Sequence, residues 1–191
     1  MRPFYTAAGR HCGGFCCPQA LWPGRGTGSS VRVLAPSGGI LPLWAAANRY
    51  AEGEQSVVIV AGARYGMGPS RDRAAKGASL QGARADLAVS FERIHRSNLI
   101  GMGILPMRLP EGVGPEELAL TAGDILEIHA NADLISPRCP IDVVVKRSGG
   151  QSTTIEVVAA IETAAEVEIL KAGGILSLML ANLIGSRLSG G

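Results

Sequence analysis

Aromatic residues make up only 4% of this 191-residue chain, so any core has to be assembled from Val, Ile, Leu, Met and Ala. Charge of one sign is missing too: 18 Lys and Arg stand against 16 Asp and Glu, with the signs interspersed. No basic stripe exists to neutralise a phosphate backbone, and basic residues are not interleaved with aromatics, which argues against DNA and RNA. No apolar run approaches the length of about 18–20 residues needed to span a membrane. The N-terminal "MRPFYTAAGRHCGGF" lacks the continuous apolar stretch of a secretory leader. Cysteine is scarce and poorly placed for crosslinking, with Cys12, Cys16 and Cys17 crowded together and Cys139 alone. That spacing is neither a disulfide framework nor a paired C-x-x-C metal site, and it leads us to expect reduced thiols in a cytoplasmic protein with no metal of its own. What is present is a hydrophobic fraction of 47%, enough for one folded domain at this length.

Residues 1–30 are rich in Gly, Pro and Cys and show no sustained period, so an irregular head is expected, followed by a domain over 31–187. "VRVLAP" alternates as a strand does, and "LPLWAAANRYAEG" predicts a helix stopped by Gly53. "VVIVA" is a continuous β-branched run of the kind buried on both faces of a parallel sheet. A helix capped by Ser70 and ended by Gly82 follows, then a strand in "ARADLAVSF", a helix in "ERIHRSNLIGMG" and a strand in "ILPMRL". Strand, helix, strand, helix, strand is the order of a parallel sheet with crossover helices. After Pro110 the pattern turns antiparallel: a capped turn at "GPEEL", a strand at "DILEIHA", and a hairpin of "IDVVVKR" and "STTIEVVAA" around "SGGQ". "TAAEVEILKAGG" and "ILSLMLANLIGSRL" close the chain, and the second is apolar enough to require a core or an interface. The expected class is therefore α/β, a mixed sheet with a parallel strand-helix half and an antiparallel strand layer.

The segment "VVIVAGARYGMGPSRDRAAKG" runs a buried strand through a Gly-rich turn into a helix start, an arrangement that aims unpaired backbone N–H groups and the positive end of the helix dipole at an anion. A dinucleotide fingerprint fails because "GMGPSR" puts Arg71 where the third Gly belongs, and a Walker-type phosphate loop fails because Gly68 is followed by Pro69 and Ser70 rather than Lys and Ser or Thr. A Ser hydroxyl beside an Arg fork suits a small carboxylate. On the residues alone an equal alternative stands: Ser70 caps the helix, and Arg71 pairs with Asp72 or Glu92 on the surface.

"YGMGPSRDRAAKG", "SFERIHRSNLIGMGILPM" and "EVEILKAGGIL" resemble, in this order and over residues 31–184, the C-terminal swivel domain of aconitases and of the related iron-sulfur 2-methylcitrate dehydratases. The fold is shared with the isopropylmalate dehydratase small subunit. The resemblance implies a swivel domain that closes over a separate core carrying a [4Fe-4S] cluster, with a tricarboxylate such as citrate, isocitrate or 2-methylcitrate dehydrated and rehydrated between them. The family loop reads Gly-Ser-Ser-Arg; its first Ser is the base, and its second Ser and Arg hold substrate carboxylates. Residue by residue, Gly68, Ser70 and Arg71 match the Gly, the second Ser and the Arg, while the base position is Pro69. Proline has neither a hydroxyl nor an N–H, so it cannot take a proton or donate a hydrogen bond, which leaves Ser70 as the remaining candidate base.

Other departures point the same way. Arg73 stands where aconitases usually have Trp, Asp86 interrupts an apolar strand, and the head lacks the Arg-Gly segment through which relatives enter this domain. The family's cluster cysteines belong to the core, and Cys12, Cys16 and Cys17 do not match their spacing. The resemblance therefore implies a detached swivel part, inactive alone, with a vestigial or purely binding domain as the alternative. Of the remaining polar residues, His95 is read as a hydrogen-bonded structural residue, and His11 and His129 lack ligand partners at metal-site spacing. Pro69 is read as a first-turn proline, Glu92 and Arg93 as a solvated helix face with Arg93 or Arg96 bordering the cleft, and Met102, Met107 and Met179 as core fillers.

Overall fold

The computed structural model describes residues 56–120 and 124–188, the side chains of 185–188 excepted, with Ala45 and the backbone of residues 15–16, 30–33 and 39–42. The strands are β1 (Phe15–Cys16), β2 (Ser30–Val33), β3 (Gly39–Pro42), β4 (Val57–Ala61), β5 (Ala83–Ala88), β6 (Leu105–Arg108), β7 (Ile125–Ile128), β8 (Pro140–Lys146) and β9 (Ser152–Ala159). The helices described are α1 (Arg71–Leu80), α2 (Arg93–Gly101), α3 (Pro115–Leu118), α4 (Ala164–Lys171) and α5 (Ile175–Leu188). One sheet holds all nine strands in the order β3-β2-β1-β4-β5-β6-β9-β8-β7. Its β4, β5 and β6 run parallel, while β6, β9, β8 and β7 pair antiparallel. The mixed α/β reading is thus realised in a single sheet whose two halves meet at β6 and β9.

The apolar run Val57–Ala61 becomes β4 because every one of its residues is buried, with β1 and β5 beside it in the sheet and packed groups above and below. Alternate residues serve opposite faces: Val58 and Val60 belong to the large core, and Ile59 packs with Ala75, Ala78, Ala83, Leu99 and Ile104. Small residues at Ala75 and Ala78 let α1 lie close to the sheet. At the other end of the chain, a Cβ on Gly103 would fall 2.6 Å from the Gly173 carbonyl oxygen, and one on Gly174 would fall 2.7 Å from that of Gly101. Backbone packs on backbone there, which ties "LIGMG" to "KAGG".

Several expectations change. Leu41 and Pro42 lie in β3, so the helix predicted from "LPLWAAANRYAEG" begins later; Ala45 is helical, and the rest of that segment lies outside the described residues. In the head, Phe15–Cys16 pairs in parallel with β4 and antiparallel with β2, Ser30 opens β2, and the remaining residues lie outside the described set. Met107 is buried and Met102 packs against the smaller core, but Met179 is 57% exposed on α5 and fills no gap. Ile175, Leu176, Leu180, Leu183 and Ile184 are exposed on the same helix, because α5 turns away from α4 by 81° and leaves the sheet's core. Among the described residues no single helix is long and apolar enough to cross a membrane.

Candidate functional site

The loop between β4 and α1 sits at the carboxyl end of the parallel strands, where open α/β sheets bind ligands. It is clipped to the segment after β5. Tyr65 N donates to Ser90 O at 2.8 Å, Glu92 N donates to Tyr65 O at 2.8 Å, and Arg64 N donates to Ser90 Oγ at 2.8 Å. Backbone strain is concentrated in the same turn, with φ of 58° at Arg64, 90° at Gly66 and 58° at Ser70. A non-glycine residue in the left-handed region is uncommon, and two within seven residues require a surrounding structure that holds them.

Ser70 occupies the N-cap position of α1, but its hydroxyl caps nothing. Capping residues normally adopt extended backbone, from which the side-chain oxygen reaches the amides one turn on; the left-handed backbone of Ser70 aims it elsewhere. The expected Ser70 cap is therefore corrected. The first helical bond runs from Ala74 N to Ser70 O at 3.1 Å, so the amides of Arg71, Asp72 and Arg73 precede the ladder at the positive end of the dipole. Pro69 precedes the cap rather than opening the first turn, and its side of the loop is exposed, as is Ser70. Gly68 supplies its carbonyl to Arg71 Nε at 3.3 Å.

Arg71 is also held by Glu92, with Nη1 3.1 Å from Oε2, and both side chains are partly exposed. The same Glu92 oxygen accepts from Ile94 N at 2.9 Å and from His95 N at 3.2 Å. Glu92 is thus the N-cap of α2 and an orienting partner for Arg71, not a solvated face residue. Arg96 is buried and bidentate to Glu166 (2.8 and 3.0 Å), with a third bond to the Ala160 carbonyl at 2.9 Å, so it ties α2 to α4. Arg93, Asp72 and Arg73 are exposed.

Beneath the loop lies a buried polar group that the sequence flagged only in part. His95 is 1% exposed and its Nδ1 lies 3.3 Å from the Arg71 carbonyl oxygen, in keeping with the hydrogen-bonded role expected of it. Burial lowers its pKa, against opposing contributions from that carbonyl and from Glu92. Tyr65 stands edge-on to the His95 ring at 4.8 Å and to Phe91 at 5.9 Å. Asp86 is fully buried in β5, and burial pushes its carboxyl up to about 8, with the Tyr65 phenol pulling the other way. Neither of its oxygens has another hydrogen-bond partner, so at neutral pH Asp86 is a protonated acid, which removes most of the cost of burying it. His129 is exposed beyond β7, and the thiol of Cys139 is free. Among the described residues no three His, Cys, Asp or Glu side chains gather as metal ligands, so they do not fit an iron-sulfur cluster.

With this geometry in view, the similarities to known proteins are specific. The aconitase C-terminal domain family matches residues 33–112. Aconitate hydratase A of Pseudomonas aeruginosa is 46% identical over 152 residues, covering 80% of this chain and 17% of that protein. The 2-methylcitrate dehydratase (2-methyl-trans-aconitate forming) of Shewanella oneidensis is 35% identical over 170 residues, covering 89% of this chain and 19% of that protein. The chain thus spans less than a fifth of the length of these relatives. Among solved structures, the 3-isopropylmalate dehydratase of Methanocaldococcus jannaschii superposes with a TM-score of 0.53 at 27% identity, covering 76% of this chain and 77% of that one. Sequence and fold agree: over residues 33–112 the chain matches the aconitase C-terminal domain, and its fold is similar to that of a 3-isopropylmalate dehydratase.

Proposed function

We propose that residues 31–187 form the detached swivel part of an aconitase-type hydro-lyase of the cytoplasm, preceded by the head of residues 1–30, whose Phe15–Cys16 joins the same sheet. The loop of Gly68, Ser70 and Arg71 binds carboxylates of a tricarboxylate substrate, citrate or 2-methylcitrate, and the domain closes over a separate core that carries the [4Fe-4S] cluster. The observation that carries this reading is Arg71 at the open start of α1. A guanidinium fork and several helix amides share one exposed turn at the carboxyl end of the parallel sheet, with no side-chain cap competing for the amides. The exposed apolar face of α5 supports a partner, since a patch of this kind is usually covered in an assembly.

The chain supplies binding and orientation but no base. Pro69 stands where the family's catalytic Ser would be, and it can neither accept the substrate proton nor donate to a developing oxyanion. Ser70 is exposed, and among the described residues its hydroxyl makes no hydrogen bond to a group that could receive its proton. The cluster lies with the partner, and no step is assigned to it here. On this reading the chain alone does not turn over substrate.

The test is cis-aconitate absorbance during isocitrate dehydration, with this chain added to a reconstituted [4Fe-4S] aconitase core that lacks its own swivel domain, beside the Pro69→Ser variant. Turnover with Pro69→Ser alone supports the reading and locates the loss at one side chain. Turnover with the unmodified chain assigns the base to Ser70 or water. Silence from both favours a second reading, a vestigial or purely binding domain, which the pairing of Arg71 with Glu92 also favours because that fork is already engaged.

A further inference from the structure

We propose that His95 is a positioning residue for this loop: by donating its Nδ1–H to the Arg71 carbonyl it fixes the first turn of α1, and with it the direction in which the Arg71 fork and the helix amides face an anion. The proposal rests on the carboxylate-binding reading of the loop.

Four contacts carry it. The imidazole reaches across 24 residues of sequence to the Arg71 carbonyl at 3.3 Å, while the His95 amide meets the Glu92 oxygen that also holds the Arg71 guanidinium. His95 therefore meets Arg71 directly at its backbone and through Glu92 at its side chain. The ring also fills the space left by the missing Cβ of Gly66, where an added Cβ would lie 2.2 Å from the ring carbons, and it supports the edge of Tyr65. The loop on one side and the helix start on the other are thus braced by one side chain.

The chemistry decides the tautomer. A carbonyl only accepts, so Nδ1 carries the proton, and Nε2 is left as a bare acceptor buried without a partner. Pure core packing is better served by an apolar residue of similar size, which would leave no ring nitrogen unsatisfied. The bond to the Arg71 carbonyl is the interaction that an apolar residue cannot make.

The experiment uses the full chain with citrate as the probe, comparing wild type, His95→Asn and His95→Leu. Asn places an amide donor near the Nδ1 position, and Leu does not. Ring 15N shifts of wild type are expected to show a neutral Nδ1–H tautomer at about pH 7. His95→Asn is expected to keep citrate affinity within about threefold and to retain the amide resonances of residues 66–73, whereas His95→Leu loses affinity by about tenfold and shifts those resonances. An Nε2–H or charged ring in wild type overturns the proposal, and so does a Leu variant with wild-type affinity and resonances. Equal loss in the Asn and Leu variants also overturns it, since the hydrogen bond would then not be the operative contact. Absence of citrate binding in wild type sinks the carboxylate reading instead, and the tautomer and loop resonances then decide the role of His95 in holding the helix start.

Discussion

Arg71 and Glu92 form an ion pair at 3.1 Å, so the cation that the loop offers to an anion is held by the cap of the neighbouring helix. Both side chains are partly exposed, and such pairs contribute little to stability. On the proposed carboxylate-binding reading their influence falls on binding, because the ligand competes with Glu92 for one fork. Glu92→Gln keeps an oxygen to cap α2 and removes the charge. Citrate affinity is expected to rise about three- to fivefold, with a smaller gain at high salt. Calorimetric titration at two ionic strengths checks this, and weaker binding by the variant would make Glu92 an aid rather than a competitor.

Gly66 adopts φ 90° with the His95 ring in the place of its absent Cβ. Gly66→Ala meets both a backbone penalty and a collision with a buried ring. A loss of about 2–4 kcal/mol is expected from denaturant midpoints at constant slope. A loss below about 1 kcal/mol would mean that the ring can move aside, and that the loop is braced less firmly than the contact implies.

Asp86 makes stability depend on pH in an unusual direction. Its folded pKa, about 8, lies above the ordinary carboxyl value of 3.8, so across that window the unfolded chain releases a proton that the folded chain keeps. The contribution is full below about pH 4, declines as pH rises and is exhausted above about pH 8, with a slope of at most about 1.4 kcal/mol per pH unit. Asp86→Asn, which is neutral throughout, should flatten this profile and raise the melting temperature most at the alkaline end. Superimposable wild-type and variant profiles would show that Asp86 is ionised in the fold.

Arg96 joins α2 to α4 through Glu166. Burial raises the pKa of Glu166, but the hydrogen bond from Arg96 and a further bond from the Glu162 amide bring it below the usual range. Arg96→Leu removes the guanidinium donor from that carboxylate and from the Ala160 carbonyl and should cost about 3 kcal/mol. Adding Glu166→Gln should restore part of the loss, which a double-mutant cycle by urea denaturation measures. Strictly additive losses would mean that the pair is not coupled.

The elements visible in the sequence were those whose signal is local. Val57–Ala61 had to be a strand buried on both faces, Gly82 ended a helix, and the hairpin around "SGGQ" followed from alternation and turn residues. The misread residues were those whose role depends on a partner far along the chain. The pairing of Arg71 with Glu92 was one of the readings the sequence offered, but the capping role of Glu92 was not legible because it depends on where α2 begins. The tie between Arg96 and Glu166 gave no local signal because the two lie 70 residues apart. Ser70 looked like a cap because the residue type is right; only the left-handed backbone, imposed by a loop clipped to Ser90 and Glu92, denies it that role.

By itself the sequence determined the order of strands and helices from β4 onward, the parallel half carrying the loop, and that position 69 offers neither a hydroxyl nor an N–H. These follow from periodicity, turn chemistry and the functional groups that side chains possess. Only the tertiary structure decided how the loop is held. It placed His95 under Gly66 and against the Arg71 carbonyl, set Glu92 on the guanidinium, buried Asp86 beside Tyr65, and turned the apolar α5 outward. The physical reason is that hydrogen bonds, desolvation and close contact act over a few ångströms, and residues far apart in the chain reach that range only when β4, β5 and β6 align in one sheet and α1 and α2 pack together over it.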